Sequence, residues 1–237
     1  MVVTPQQGKL LGIIGGLSWH STQEYYRYIN EQVTKVWGEQ RNPRLMIHSL
    51  DFRRVSDLFV KPKLAVEYIV DHCLALERAG CDALLLASNT VHVSSSVIAD
   101  RVNIPLLHIA DAVADDMKAR GLHRVLLLGT RYTMTLPFYR ERLQDHGLQV
   151  VVPELADIEV VNRIIYEELV EGEITESSRQ IYLDIIKKYE ETADVQGVIA
   201  GCTEIPLLIQ QTHCSLPLID STLVHSQMAV HWFTAAS

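Results

Sequence analysis

No stretch of this sequence is apolar over anything near the ~18 residues that a membrane-spanning helix needs. Cysteine is scarce: Cys73, Cys81, Cys202 and Cys214 are all there is, and no two show CxxC or zinc-type spacing. That excludes a structural zinc site or a redox dithiol by motif, and it predicts reduced thiols in a cytoplasmic protein. Basic residues are outnumbered, 21 Lys and Arg against 29 Asp and Glu, for a net charge of −8. Such a balance argues against nucleic acid or an anionic membrane as partner, but not against a small acidic substrate, because a site can be locally positive. Both the dinucleotide fingerprint GxGxxG and the Lys-Ser/Thr pair of a P-loop are missing. The opening MVVTPQQGKL lacks the basic-then-apolar order of a signal peptide, so no leader is expected.

What is present is apolar material, 48% of 237 residues, enough for one large domain or two small lobes with a real core. Short apolar runs alternate with amphipathic segments. Strands are expected at 9–14, 44–50, 83–87, 104–109, 123–128, 149–152, 198–200 and 216–219, with helices between them and glycine stops at Gly80, Gly121 and Gly147. Ser21 or Thr22 is the expected cap of a helix from about Gln23 to Trp37, Thr175 that of a helix reaching about Glu191, and Ser221 or Thr222 that of the last helix. Asp51 to Lys63 reads as a polar, irregular lid or binding loop, with Arg53, Arg54, Lys61 and Lys63 available to attract a carboxylate or merely solvated.

The chemistry-bearing residues cluster where strands end. Val198-Ile199-Ala200 is too short for a helix and reads as a buried parallel strand; Gly201 breaks it and Cys202, Thr203 and Glu204 follow. In an open α/β sheet this is where ligands bind, so the thiol is a candidate nucleophile or proton-transfer base, unless it is a small buried residue closing a strand. Ala83–Ala87 is a second such run, followed by Ser88-Asn89-Thr90 and then His92. His92 is either a base for the Ser88 hydroxyl or a hydrogen-bonded structural histidine. The first strand ends in Gly15-Gly16-Leu17-Ser18, a turn that leaves backbone N–H groups for an anion or is only a tight strand–helix connection.

These landmarks repeat. Gly15 to Ser88 and Gly129 to Cys202 both span 73 residues, and each pair is followed by an Ile/Leu-Pro-Leu strand, at Ile104 and at Leu216. The expected architecture is therefore α/β, two pseudo-symmetric doubly wound parallel-sheet lobes with the active site in the cleft between them. Lobe 1 is assigned to 1–103 plus 216–237, and lobe 2 to 104–215. Ser88 would then oppose Cys202, as an acid and a base must to invert a carbon next to a carboxylate. A thiol whose pKa of about 8.5 is tuned by neighbours suits the task, and backbone N–H groups after each strand could stabilise the enediolate. Thr130, Thr203 and the Gly16–Ser18 turn are candidate carboxylate holders. This logic requires no cofactor and no metal.

At this point the chain resembles the aspartate/glutamate racemase superfamily, the cofactor-independent amino acid racemases, over nearly its whole length. The resemblance rests on Ile14-Gly15-Gly16-Leu17, Asn89-Thr90-Val91-His92, Leu128-Gly129-Thr130-Arg131-Tyr132-Thr133 and Gly201-Cys202-Thr203-Glu204. Where the usual family has Cys before Asn-Thr, this chain has Ser88. A subgroup acting on both aspartate and glutamate has Thr there, and this chain is similar to it through Gly16–Trp19, His48-Ser49-Leu50-Asp51-Phe52 and Leu107–Asp111. Aspartate-specific members carry a lysine where Val170 stands, so the resemblance does not imply strict aspartate recognition. It implies a racemase acting on aspartate or glutamate with Cys202 as main acid/base and Ser88, His92 and Glu204 assisting. Gly16, Ser18, Asp51, Asn89, Thr90, Thr130, Thr133 and Thr203 would hold the substrate, and a homodimer is the expected assembly. Two other outcomes stay open: a decarboxylase like arylmalonate decarboxylase, which keeps only the second cysteine, and a non-catalytic amino-acid-binding protein.

Overall fold

A computed structural model describes residues 8–38 and 40–235, so residues 1–7 of the stretch read for a leader lie outside the described residues. The chain divides into two compact units, Met1–Ile109 with His225–Ser237, and Ala110–Val224. It passes from the first to the second after Ile109 and returns after Val224.

The first unit runs β1 (Leu10–Gly15), α1 (Trp19–Trp37), β2 (Arg44–Ser49), α2 (Phe52–Leu58), α3 (Pro62–Arg78), β3 (Ala83–Leu86), α4 (Ser95–Arg101) and β4 (Leu106–Leu107). Its parallel sheet has the order β2-β1-β3-β4. The central strands β1 and β3 are buried at every residue, which is why LLGIIG and ALLL are continuous apolar runs, whereas the edge strand β2, RLMIHS, mixes exposed and half-buried positions. Side-chain alternation sorts the core into two faces. Leu10, Ile14, Leu84 and Leu86 pack on Ile69, Cys73 and Leu76 of α3 and Ile98 of α4. Leu11, Ile13 and Leu85 pack on Tyr25, Ile29 and Val33 of α1 and on Phe233.

The second unit repeats the plan: α5 (Ile109–Ala119), β5 (Arg124–Gly129), α6 (Arg131–Thr135), α7 (Pro137–Asp145), β6 (Gln149–Val151), α8 (Leu155–Glu167), α9 (Glu176–Ala193), β7 (Gly197–Gly201), α10 (Ile205–Leu208) and β8 (Leu218–Asp220), after which α11 (Ser221–Thr234) carries the chain back into the first unit from His225 on. Its parallel sheet has the order β6-β5-β7-β8. Leu126, Leu128, Val198 and Ala200 pack on Ile158, Val161 and Ile165 of α8 and on Tyr182 and Ile186 of α9. The internal repeat is visible in register. Ile14 pairs with Leu86 and Leu128 with Ala200, both 72 residues apart, while Leu85 pairs with Leu107 at a separation of 22 and Ile199 with Ile219 at 20. The two-residue slip seen between the sequence landmarks thus lies in the crossover to the fourth strand. Among the described residues no helix is long and apolar enough to cross a membrane.

Local readings differ in four places. Helix α1 starts at Trp19, a turn before the expected cap, because Ser21 and Thr22 point inward to bond the neighbouring strand ends and do not cap. The stretch expected as an irregular lid is mostly helical: Asp51 caps α2, accepting from the Arg53 and Arg54 N–H groups at 3.0 and 3.4 Å, and Pro62 opens α3. The last helix is capped by Asp220, whose Oδ1 accepts from Thr222 and Leu223, and not by a hydroxyl. Leu106–Leu107 pairs with β3 and Leu218–Asp220 with β7, so each fourth strand belongs to the sheet just before it in sequence, and the unit boundaries fall at 109/110 and 224/225 in place of 103/104 and 215/216. A parallel strand joins its own sheet through a short crossover, so each fourth strand stays with the sheet that precedes it.

Candidate active site

In the first unit, β1 ends in two glycines for steric reasons. Gly16 has φ +74, and a Cβ there would lie 2.1 Å from the Leu50 carbonyl oxygen and 2.4 Å from its nitrogen. The crowding comes from Leu50, whose N–H donates to Gly15 O at 2.9 Å and draws the end of β2 across the turn. Thr22 Oγ1 accepts from the Gly16 N–H at 2.8 Å and donates to Ser18 O at 3.2 Å. Ser18 sits in a left-handed conformation, φ 78, ahead of α1, with its hydroxyl buried and without a hydrogen-bond partner among the described residues. A helix start with a buried, unengaged hydroxyl suits a carboxylate.

The Ser88 turn lies beside it. Ser21 Oγ donates to Ala87 O at 2.7 Å, and the Ala87 N–H donates to Ile14 O at 2.9 Å, so α1 and β1 both hold the end of β3. His92, fully buried in the one-turn helix Thr90–Ser94, lies 2.8 Å through Nδ1 from the carbonyl oxygen of Ser88. The Ile109 N–H donates to His92 Nε2 at 3.3 Å. A carbonyl only accepts and an amide N–H only donates, so His92 is the neutral Nδ1–H tautomer. His92 therefore contacts the Ser88 carbonyl and not the hydroxyl, which is half-buried and has no partner among the described residues. Asn89 is buried at the same turn. Asp51 is exposed and its carboxylate caps α2, and the nearby cations are engaged, Arg53 with Asp57 at 3.0 Å and Arg54 over the Tyr68 ring at 4.8 Å.

In the second unit the paired residues Gly129 and Gly201 bring β5 and β7 to a close finish. A Cβ on Gly129 would meet Gly201 O at 2.8 Å, and one on Gly201 would meet Leu128 O at 2.8 Å, so neither strand end tolerates a side chain. Thr130 caps α6, its Oγ1 accepting from the Thr133 N–H at 3.3 Å and lying 3.1 Å from Thr133 Oγ1. Beyond Gly201, Cys202 Sγ donates to Glu204 Oε2 at 3.0 Å and Thr203 Oγ1 donates to the same oxygen at 2.7 Å. Glu204 is 3% exposed, and its other oxygen, Oε1, is buried with no partner among the described residues.

Burial pushes the Cys202 thiol well above its ordinary range, and the adjoining Glu204 carboxylate adds to the shift by opposing a second negative charge. The resting group is a thiol aimed at a carboxylate, able to pass its proton to Glu204 as the sulfur takes another from a substrate. Two tyrosines that were not expected from the sequence lie within electrostatic reach of the thiol. Tyr182 of α9, fully buried, is pushed well above the ordinary tyrosine range, first by burial and then by Cys202, and Tyr166 of α8, which keeps part of its surface exposed, is pushed up to about 12 by burial of the rest and then by Cys202. Their positions 36 and 20 residues before Cys202 carry no motif; helix periodicity would have put Tyr182 on a buried face and nothing more.

The family model described as Asp/Glu/Hydantoin racemase matches residues 14–229. A proposed Asp/Glu racemase from Yersinia pestis has a crystal structure that matches with a TM-score of 0.89 at 42% identity, covering 96% of this chain and 100% of that one. An aspartate racemase homologue from Pyrococcus horikoshii OT3 matches with a TM-score of 0.84 at 36% identity, over 96% and 100% of the two chains. Broad specificity amino-acid racemase RacX of Bacillus subtilis (strain 168) is 22% identical over 229 residues, 95% of this chain and 99% of its own length.

Proposed function

The chain belongs to the Asp/Glu/hydantoin racemase family and is an isomerase, and from that premise we propose that it racemises aspartate, glutamate or both without a cofactor, with Cys202 as the main acid/base. The observation that carries this reading is the buried Cys202–Glu204 pair at 3.0 Å just past the end of β7. In the forward step the Cα–H proton moves to the Cys202 sulfur while the thiol proton moves to Glu204, leaving a carbanion delocalised into the substrate carboxylate as an enediolate. Thr130, Thr203 and the Gly16–Ser18 turn hold that carboxylate. The Ser88 hydroxyl returns a proton to the other face and recovers one from water, while Glu204 gives its proton up to water, which neutralises the hydroxide and resets the site.

Ser88 is the weaker partner. A hydroxyl is a far poorer acid than a thiol, and this one has no base on it, His92 being engaged elsewhere. One enantiomer should therefore start much faster than the other, while the equilibrium constant between enantiomers stays at unity. The same proposal makes the protein a cytoplasmic homodimer, a reading supported by its free thiols and by the family resemblance.

The test is α-proton exchange in D2O, followed by proton NMR, on separate L and D samples of aspartate and glutamate. Exchange that starts much faster from one enantiomer supports the reading. Equal initial rates sink the assignment of Ser88 as the weak side. No exchange from any sample, with carbon dioxide released from a malonate, moves the protein to one-sided decarboxylation, which the base-free Ser88 also suits.

A further inference from the structure

Six contacts in the first unit converge at the Ser88 turn. His92 donates from Nδ1 to Ser88 O at 2.8 Å and accepts at Nε2 from the Ile109 N–H at 3.3 Å. His225 of α11 lies 2.8 Å through Nε2 from Leu107 O and 2.8 Å through Nδ1 from the Tyr25 hydroxyl of α1. Since the Leu107 carbonyl only accepts, His225 is the Nε2–H tautomer and Tyr25 donates to its other nitrogen. The His92 ring sits 4.7 Å from that of His108 and 5.6 Å from that of His225, both edge-on. Tyr25, His92 and His225 are fully buried and His108 nearly so.

The backbone groups held here are not arbitrary. Ser88 is the residue assigned to return the proton. Leu107 and Ile109 bracket the end of β4, the point at which the chain leaves the first unit, and His225 is the residue at which it comes back. Three elements far apart in sequence thus grip one short segment, and a single imidazole ties that segment to the Ser88 peptide.

We propose that His92 is a positioning residue: a neutral, tautomer-locked imidazole that sets the Ser88 peptide against the Leu107–Ile109 segment, with His225 and Tyr25 holding that segment from behind. It does not take a proton from Ser88. This inference rests on the reading of Ser88 as a reacting group, since a misplacement of about 1 Å at such a group costs up to ~10²-fold in rate.

The two halves of the clamp can be cut separately. In His92→Asn the side-chain amide N–H replaces Nδ1–H and keeps the bond to Ser88 O, but no acceptor reaches Ile109. In His92→Gln the longer side chain offers its oxygen to the Ile109 N–H and leaves Ser88 O without a donor. With full-length protein and the better of aspartate and glutamate, His92→Gln should lower kcat for exchange by about 10- to 100-fold at nearly constant KM, and His92→Asn by about threefold. Equal losses in both variants, or a larger loss in His92→Asn, overturn the proposal. A second readout does not depend on activity: nitrogen-15 NMR of the imidazole, assigned by its loss in His92→Asn, should show a neutral Nδ1–H ring at pH 7.5. An Nε2–H ring or an imidazolium there overturns the clamp. If the wild-type chain exchanges no α-protons, the racemase reading falls and the catalytic consequence with it, while the tautomer still decides the clamp.

Discussion

The two strand ends that carry Ser88 and Cys202 share a backbone plan and differ in where their side chains are attached. Both follow the third strand of a four-stranded parallel sheet, and both begin just beyond a partner strand that ends in glycine. At Cys202 the side chain itself is engaged, its sulfur donating to a buried carboxylate. At Ser88 the side chain is left alone and the backbone is engaged, Ala87 O by Ser21 and Ser88 O by His92. A duplicated scaffold can thus present one chemically prepared end and one end that is only positioned, and proton transfer at the two should be unequal.

The largest effect should come from removing the prepared side. Cys202→Ala should lower α-proton exchange by about 10²- to 10⁴-fold from the enantiomer that starts faster, and exchange at wild-type rates would remove Cys202 from the chemistry. Next, Ser88→Cys supplies a thiol to the other end. The slower direction should gain about tenfold or more and the initial rates of the two enantiomers should converge; an unchanged ratio would break the comparison.

Glu204→Gln separates the two influences on the sulfur. The carboxylate raises the thiol by opposing thiolate charge, so its removal lowers the thiol pKa. Exchange in this variant should be about tenfold slower, since the proton acceptor is gone, and its pH–rate profile should level off at lower pH than the wild type. A profile that moves upward contradicts the pairing.

Two smaller effects concern stability. Gly16→Ala places a Cβ against Leu50 backbone at positive φ and should cost roughly 2–4 kcal/mol in urea unfolding. Burial pushes Cys73 up to about 12 from an unfolded value of 9.0. Between those values the folded chain keeps a proton that the unfolded chain loses, so this contribution is full below pH 9 and declines as pH rises. Its slope should approach about 1.4 kcal/mol per pH unit. Denaturant titrations from pH 8 to 11 should show a shallower decline in Cys73→Ala than in the wild type.

Much of this was readable before any coordinates. Continuous apolar runs such as Leu10–Ile14 and Val198–Ala200 marked central parallel strands, because only a strand buried on both faces dispenses with polar alternation. The matching 73-residue spacings marked the repeat, and residues two apart in sequence, Cys202 and Glu204, marked a pair that local geometry was bound to bring close. The Asp51–Lys63 stretch was harder. A polar segment reads alike as loop or as surface helix, and the Asp51 cap that decides between them is one residue.

What stayed hidden was the partner of each inward-facing polar group. Ser21 and Thr22 have the composition of a helix cap, yet a bond to Ala87 O or to the Gly16 N–H exists only once the sheet is assembled. His92 four residues after Ser88 suggested a base for the hydroxyl; the folded turn offers it the carbonyl instead, and Ile109, 17 residues on, supplies the other bond. Tyr25 and His225 are 200 residues apart and meet through α1 and α11. Periodicity and spacing report which face of an element is apolar and which residues are near in sequence. Hydrogen-bond partners are chosen by close packing across elements, where a donor must find an acceptor within about 3 Å, and that is a property of the assembled core.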